Sequence, residues 1–539
     1  MNERPVKKQS FLQGTAVLAM ATIIVKLMGF LFKTPLNNVI GKVGFGYFNT
    51  AYDVYNVLLM VSTTGLPVAM SRMISESQAL GNYAQIKRIF RTALYVFLTI
   101  GIVGSLGMLI FCRELSVMVT KNTNSWAAIA ALAPCVLLIC LISAYRGFFQ
   151  GQSNMSPTSI SQVFEAFTRL TVGLGLAWLI KEKTGSIIYA AGGAILGVTL
   201  GCLVSVIYLH SRFRKANQVL SRSEGTAKTT GQTMKELLSI AIPITLGAAG
   251  LQIINLFDTM IYMRRLMDGL HWTQTMAEAA KGIYNYQQTV FALPCAFIPT
   301  ITISIIPAIT AALTTGDIRG AQSTENAAIR IMGLVAMPCA VGLFVMAEPI
   351  NRLLCSAYTE EDFALAGPML AILGIAVIFN SLVLLMNAIM QAHGDVTTPV
   401  INMLIGGIIK IAVNFVLVGI PAINIVGAPM GTVICYASIT ALDLLAMRRS
   451  VKTRPAVFKS LLRPFLAAAL MGGFTFLVNA VLTKALHSAR LACLVSLGFA
   501  VVCYAVLVLA LGCITYDDCL LLPKGEKIAK LLRIRKKDE

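Results

Sequence analysis

The sequence predicts an all-α integral membrane protein with fourteen transmembrane helices, arranged as two pseudo-symmetric lobes of six helices and a final pair. Of the 539 residues, 57% are hydrophobic and only 13% are charged, whereas about a quarter of a soluble globular protein is charged. Uncharged apolar runs long enough to cross a bilayer recur along the whole chain, most clearly at residues 93–112 and 491–515. An internal repeat, described below, predicts the two lobes.

Windows of about 19 residues divide the chain into seven segments. The segments are an N-terminal stretch (1–11), a first lobe (12–209), a basic linker (210–236), a second lobe (237–446), a second basic linker (447–459), a last pair of spans (460–514) and a basic tail (515–539). The predicted spans lie near 12–32, 47–70, 90–111, 124–144, 158–180 and 186–209, then near 237–260, 283–306, 326–347, 364–390, 398–419 and 425–446, and finally near 460–482 and 491–514.

The distribution of lysine and arginine predicts the orientation of these spans. With the N-terminus inside, the inner segments hold about 29 basic residues and the outer segments about 12, as the positive-inside rule requires. An even number of spans then places both termini in the cytoplasm. The net charge of +20 is accounted for by loops on the anionic inner leaflet of the plasma membrane, so nucleic acid is not an expected partner.

The chain also repeats part of its own sequence. The segment 145–157, YRGFFQGQSNMSP, aligns with MNAIMQAHGDVTT at 386–398, 241 residues later, with Gln150 on Gln391. Each copy follows the fourth span of its lobe. Two lobes with the same topology are related by an axis along the membrane normal, and a substrate cavity between them is expected.

Signatures of enzymes and metal sites are missing from the sequence. It contains no G-x-x-x-x-G-K-[ST], no H-E-x-x-H and no G-x-S-x-G, and the cysteines stand mostly singly within apolar runs. We therefore expect no catalytic activity, no cofactor and no bound metal.

Basic residues in or beside the spans are candidates for substrate binding. Lys26 lies in the otherwise apolar span 1 with no acidic residue within one helical turn. A cationic wall formed with Lys33, Arg72, Arg264 and Arg265 would suit an anionic group such as a pyrophosphate. The alternative for Lys26 is a side chain that extends to the outer interface.

Acidic residues within the spans have two interpretations. Asp53 and Asp258 occupy early spans of the two lobes, where each would bind a coupling cation or proton, or balance nearby basic charge. Glu165 and Arg169 are four residues apart on one helix face and are expected to form a structural pair.

Three segments resemble one family of membrane proteins: 146–169 (RGFFQGQSNMSPTSISQVFEAFTR), 26–30 (KLMGF) and 65–69 (GLPVA). They are similar to the stage V sporulation protein B and lipid II flippase (MurJ-like) group, which belongs to the polysaccharide transporters of the multidrug/oligosaccharidyl-lipid/polysaccharide (MOP) superfamily. The resemblance implies a twelve-helix MOP/MATE-like core with two added helices. Lys26 matches a basic position of span 1 that is usually arginine in this group, and Lys33 lies one residue beyond a second one.

The resemblance also implies a function. The expected substrate is an undecaprenyl-pyrophosphate-linked saccharide, lipid II or a related cell-wall or polysaccharide precursor, moved from the inner to the outer leaflet by alternating access. The two added helices would supply a groove for the polyprenyl tail, or serve to stabilise the bundle. Partners would be the lipid-linked head group, membrane lipid and proteins of cell-wall synthesis.

Three other functions remain open from the sequence. A cation-coupled multidrug exporter of the same superfamily would need an acidic, aromatic cavity. A membrane glycosyltransferase or polymerase would need paired acids in a sizeable outer loop, where only Glu360, Glu361 and Asp362 cluster. A non-transporting scaffold for cell-wall synthesis would tolerate the loss of every buried charge.

Overall fold

The computed structural model describes residues 11–220, 226–451, 453, 455–486 and 488–514. Within these ranges the protein is built from helices and contains no strand. The predicted tail (515–539), nearly all of the N-terminal stretch and part of the first linker lie outside the described residues. The helices are α1 (Phe11–Thr63), α2 (Gly65–Ala79), α3 (Tyr83–Ile110), α4 (Cys112–Thr120), α5 (Trp126–Gly151), α6 (Ser156–Thr168), α7 (Leu174–Thr184), α8 (Ile187–Leu220), α9 (Thr230–Arg264), α10 (Gln274–Cys295), α11 (Ile298–Thr314), α12 (Ile318–Val345), α13 (Ala347–Leu354), α14 (Glu360–Ala392), α15 (Thr397–Leu417), α16 (Gly427–Ser450), α17 (Val457–Leu486) and α18 (Ala489–Ala510).

The first helix is too long for a single crossing of the membrane. Its 53 residues would extend about 80 Å at 1.5 Å per residue, against about 30 Å for the hydrocarbon core of a bilayer. At Gly41 the backbone leaves the helical conformation, with φ 70° and ψ 175°. Only glycine adopts this φ without strain, so Gly41 divides α1 into the parts predicted as spans 1 and 2.

The described residues contain eleven segments long and apolar enough to span a membrane. The first of these, Met20–Ala79, includes the break at Gly41. The eleven do not include α9 or the pair α10 and α11, which cover predicted spans 7 and 8. The protein is thus a multi-pass membrane protein, and the total of fourteen spans stays a prediction.

The chain forms two compact units, Met1–Asn285 and Tyr286–Glu539. In the first unit, α5 packs between α3 and α8, while α6 and α7 pack on α8. Helix α9 packs along α1 and α2. The first unit therefore includes α9, which the sequence analysis assigned to the second lobe.

In the second unit, α12 packs on α14 and α17, and α15 packs on α16. The last two helices pair with each other. The core is aliphatic and rich in methionine, and Met332, Leu373, Met390 and Leu461 are among its members.

The internal repeat found in the sequence is also a repeat of local structure. In the turns at residues 149–154 and 390–395, the amide of the sixth residue donates to the carbonyl of the first, at 3.0 and 2.9 Å. The fifth residue of each turn, Ser153 and Gly394, has a left-handed φ of 57° and 93°. The 241-residue echo thus marks the same connection between two helices in both units.

A second structural repeat was not recognised in the sequence. Helices α3 and α12 both begin after a glycine with positive φ, Gly81 or Gly316. Each then has an N-cap side chain, Asn82 or Asp317, that accepts a hydrogen bond from the backbone of the first turn. Both helices are followed at once by a short helix, α4 or α13. The shared pattern supports two units of common descent.

The predicted orientation of the spans can be tested by cysteine labelling. Ala227 lies in the first basic linker, and Glu182 lies in the last turn of α7; both are exposed. In a background without the twelve native cysteines, a membrane-impermeant maleimide added to intact cells should label Glu182→Cys and not Ala227→Cys. Labelling of both in permeabilised cells is the control. Efficient labelling of Ala227→Cys from outside would overturn the predicted orientation.

Candidate functional site

Three basic residues of the first unit cluster on spans 1 and 5. Lys26 and Lys33 are seven residues apart on α1, so they lie on the same helix face, two turns from each other. Arg169 begins a π-helical turn, Arg169–Gly173, between α6 and α7, and π turns are often found at functional sites. Lys33 is close enough to both Arg169 and Lys26 to interact with them electrostatically. Lys26 is exposed, and the other two are partly buried.

Arg169 lies against the motif in span 1. A Cβ atom added to Gly29 would lie 3.7 Å from the Arg169 guanidinium, so KLMGF is in contact range of this group. The guanidinium carbon lies 5.9 Å from the centre of the Phe32 ring, in range of a cation–π contact. The Tyr52 phenol is also within electrostatic reach of Arg169.

One donor of Arg169 remains unused. Its Nε atom is buried and has no hydrogen-bond partner among the described residues. Buried donors are nearly always paired in native structures, and an unpaired one costs about 1–3 kcal/mol. The free Nε beside Lys33 is therefore suited to an anionic ligand with oxygen acceptors.

The acidic neighbour of Arg169 has a partner that the sequence analysis did not name. The guanidinium of Arg146 lies 3.3 Å from the Glu165 carboxylate and donates to Ser161 at 3.0 Å. Arg169 also interacts with Glu165 electrostatically. The carboxylate of Glu165 thus forms its ion pair with Arg146, and the structural pair of Glu165 with Arg169 stays a prediction.

Asp53 forms an ion pair with a lysine of α10. The ammonium of Lys281 lies 2.9 Å from the Asp53 carboxylate and donates to the Thr50 hydroxyl at 2.7 Å. Lys281 is fully buried, and the Asp53 side chain is 23% exposed. The sequence analysis missed Lys281 because its window for span 8 began two residues later, at 283, whereas α10 begins at Gln274.

Two glycines bring α10 against the second part of α1. A Cβ atom on Gly282 would lie 1.8 Å from the carbonyl oxygen of Lys42, and one on Gly46 would lie 2.6 Å from the carbonyl oxygen of Glu278. Both distances are far below any normal contact, so only glycine permits this approach of the two backbones. The approach places Lys281 beside Asp53.

The remaining predicted residues are spread along the first unit. Arg72 is exposed on α2 and pairs with Glu76 at 3.1 Å, near the cytoplasmic end of the predicted topology. Arg264 ends α9, and Arg265 begins a second π turn. Helix α9 starts beside the end of α2, where Asn82 contacts the linker, and its 35 residues extend about 50 Å. Arg72 and the arginine pair therefore lie at opposite ends of this helix, so these three arginines do not form one cluster.

Asp258 is buried on α9, with 3% of its surface exposed. It lies close to Tyr262, one helical turn further on, and Tyr262 is also within electrostatic reach of Asp53. The two predicted acidic residues therefore share a neighbourhood. No group of three or more possible metal ligands of the His, Cys, Asp and Glu types occurs in the part of the chain that the structure describes.

The second unit buries a different set of polar contacts. Asn402 donates to Asp443 at 2.8 Å. His393 lies 2.8 Å from Glu325, which is fully buried. The Ser450 hydroxyl donates to Asp395 at 2.7 Å, and this hydrogen bond holds the pKa of Asp395 below its usual value. The contact between Ser450 and Asp395 attaches the start of the second linker to the 390–395 turn.

The second unit also contains an apolar cavity of about 470 Å³ beside the last two helices. Its walls come from α10, α12, α13, α17 and α18 and from the connection after α10. Members of the lining are Phe297, Leu343, Met471, Val501 and Tyr504. Such a lining favours a hydrocarbon ligand.

The membrane-spanning helices define a multi-pass membrane protein, with a cationic cluster in the first unit and an apolar cavity in the second. The chain belongs to the family described as "Polysaccharide biosynthesis protein", whose model matches residues 11–313. The resemblance inferred from the motifs is thereby confirmed.

Three relatives from Bacillus subtilis match over most of their length. The membrane protein YabM is 27% identical and aligns over 99% of this chain and 98% of its own. Stage V sporulation protein B is 25% identical over 81% and 83%, respectively. The lipid II flippase MurJ is 24% identical over 81% and 82%.

Solved structures show the same fold. The inward closed conformation of the lipid II flippase MurJ superposes with a TM-score of 0.65 at 14% identity, covering 94% of this chain and all of that one. An inward-facing multidrug resistance MATE family transporter of the MOP superfamily gives 0.64 at 13% identity, covering 82% and 98%. The predicted MOP/MATE-like fold is confirmed.

Proposed function

We propose that the protein is a flippase that moves an undecaprenyl-pyrophosphate-linked saccharide from the inner to the outer leaflet by alternating access. The observation that carries the proposal is the cluster of Lys26, Lys33 and Arg169, with the unused Nε donor of Arg169. A diphosphate offers several charged oxygens to such a cluster. The family and its relatives support the same substrate class.

The cationic cluster favours this function over export of cationic drugs. Three positive side chains lie together on spans 1 and 5, and Asp53, the acidic residue in reach of Lys33, is already paired with Lys281. A net positive site repels cations and attracts phosphate oxygens. The polar head group would bind in the first unit.

The apolar cavity of the second unit would hold part of the polyprenyl tail. The tail of a lipid-linked saccharide stays in hydrocarbon while its head crosses, so the protein has to offer the tail an apolar surface. Helices α17 and α18 form one side of the cavity. This is the role that we propose for the two helices beyond the twelve-helix core.

Growth rescue tests the function as a whole. The gene is expressed in a Gram-positive strain whose own lipid II flippase can be depleted, and rescue is compared with that by a Lys33→Ala and Arg169→Ala double variant at equal expression. Rescue by the parent and failure of the double variant are expected. A parent that does not rescue, and whose membranes do not flip labelled lipid II in vesicles, contradicts the proposed substrate. A scaffold role predicts rescue by both proteins.

A side chain that fills the apolar cavity should slow transport. Gly342 is a member of the lining, and a Cβ atom added there meets no atom within 4 Å. Gly342→Phe should therefore fold and lower the flipping rate at least about tenfold, which is about 1.4 kcal/mol. Gly498→Phe is the matched control, since Gly498 on α18 also has open space and is not part of the lining. Equal flipping rates in vesicles for both variants would remove the cavity from the mechanism.

A further inference from the structure

A second set of charged side chains lies where α10 packs on α1. Glu278 and Lys281 are both fully buried on α10. Asp53 lies on the facing helix, 2.9 Å from the Lys281 ammonium. This contact therefore contains two carboxyl groups and one ammonium group.

The hydrogen bonds of Lys281 do not include Glu278. The ammonium contacts Thr50 at 2.7 Å and Asp53 at 2.9 Å, both on α1. Neither carboxyl oxygen of Glu278 has a hydrogen-bond partner among the described residues. Glu278 interacts with Lys281 through longer-range electrostatics alone.

The groups facing Glu278 come from three helices. Lys281 lies on α10 itself, Asp53 and the Tyr47 phenol lie on α1, and the Thr120 hydroxyl lies at the end of α4. With both acids ionised, this group would carry a net charge of −1 in a buried site. A buried carboxylate without hydrogen bonds costs several kcal/mol, and a neutral carboxyl group avoids most of that cost.

We propose that Glu278 is a proton-binding site, neutral in this conformation and ionised when α10 separates from residues 42–50. On separation the carboxyl O–H bond breaks, the proton passes to a water molecule entering the gap, and the electron pair stays on the carboxyl oxygen. The separation itself rests on the alternating-access function proposed above, whereas the neutral state of Glu278 does not.

The site makes the contact between the two helices dependent on pH. The proton is bound in the packed form and lost in the separated form, so low pH favours packing and rising pH favours separation. One proton is taken up each time the contact forms. The gap lies on the side of the membrane that is predicted to be outer. The pH outside the membrane would therefore govern the separation of α10 from residues 42–50.

Infrared spectroscopy of the purified full-length protein in lipid nanodiscs tests the neutral state. At neutral pH the parent should show the carbonyl band of a protonated carboxylic acid, and Glu278→Gln should lack one equivalent of it. Glu236→Gln is the control, because Glu236 lies at the partly exposed ion pair with Lys228. A parent spectrum without this band, or a band unchanged in Glu278→Gln, overturns the proposal.

Labelling tests the link to conformation. Ala277 precedes Glu278 and is fully buried. Maleimide labelling of Ala277→Cys, without the native cysteines, should rise at least fivefold between pH 6 and pH 9 after correction for thiolate formation at a control site, Glu182→Cys. Adding Glu278→Gln should abolish that rise, and a rise that persists contradicts the proton site. A protein that shows both signals and flips no lipid-linked substrate would contradict the proposed function and leave the proton site standing.

Discussion

Replacement of Lys26 by alanine is expected to leave membrane insertion intact and to abolish growth rescue. An ammonium group at the centre of a span costs about 2.5 to 3.5 kcal/mol on insertion scales, so its removal should not impair insertion. The variant should instead bind the substrate more weakly, because Lys26 contributes to the positive field around Lys33. Lys26→Arg should keep much of the activity, since it keeps the charge.

The same reasoning applies to Lys33. Lys33 lies in reach of both Arg169 and Lys26, and a hydrogen bond to a charged group contributes about 1.5–3 kcal/mol, equivalent to a tenfold to hundredfold change in rate. Lys33→Met should lower flipping of lipid II in vesicles by that factor. Lys183→Met, on the exposed last turn of α7, is the control. If the Lys26 side chain only extends to the interface, Lys26→Ala and Lys26→Arg should both transport normally. Lys26→Ala and Lys33→Met variants that are well expressed and active would show that neither lysine belongs to the site.

Hydropathy and charge were sufficient to predict the class of fold. The length of each apolar run is set by the thickness of the bilayer. The helices α3, α5, α12 and α14 therefore coincide with predicted spans to within a few residues at the ends that the predicted topology places outside. The echo between 145–157 and 386–398 predicted two lobes of the same topology, and it coincides with a repeated turn because the hydrogen bonds of a left-handed connection depend on local sequence. These features are local, and a single sequence contains them.

Contacts between helices could not be predicted in the same way. Lys281 and Glu278 stood in a stretch interpreted as a loop, because their charges lower the mean hydropathy of α10. Only the close approach of the backbones at Gly46 and Gly282 shows that the charges of Lys281 and Glu278 are buried against α1. The pairing of Arg146 could not be predicted either, because its partner Glu165 lies 19 residues away, on another helix.

Arg169 shows how far the motifs could be used. The resemblance identified KLMGF and the segment ending in Arg169 as informative, without relating one to the other. In the structure the two segments meet, since a Cβ atom added to Gly29 would lie 3.7 Å from the Arg169 guanidinium. Two motifs more than a hundred residues apart thus describe one site, and three-dimensional contact is needed to join them.

The ion pair between Lys281 and Asp53 is expected to give the largest change in stability. Removing one partner of a buried pair costs about 3–5 kcal/mol, because the other charge stays buried without compensation. Asp53 is partly exposed, so Lys281→Met should cost about 3 kcal/mol, the lower end of that range. Asp53→Asn should lower the stability by more than the partial exposure of Asp53 suggests. The reason is that the variant leaves the fully buried ammonium of Lys281 with Thr50 alone.

The double variant isolates the interaction between Asp53 and Lys281 from the contacts that each residue makes with its other neighbours. Asp53→Asn with Lys281→Met removes both charges, so it should be more stable than either single variant, and the coupling in a double-mutant cycle should exceed about 1 kcal/mol. Melting temperatures in detergent, measured at one pH for all four proteins, give the comparison. The control cycle uses Lys121 and Asp268, an exposed pair at 2.5 Å, for which coupling below about 1 kcal/mol is expected. Additive losses at Asp53 and Lys281 would show that the two residues act independently, and that the contact between α10 and residues 42–50 depends on its glycines alone.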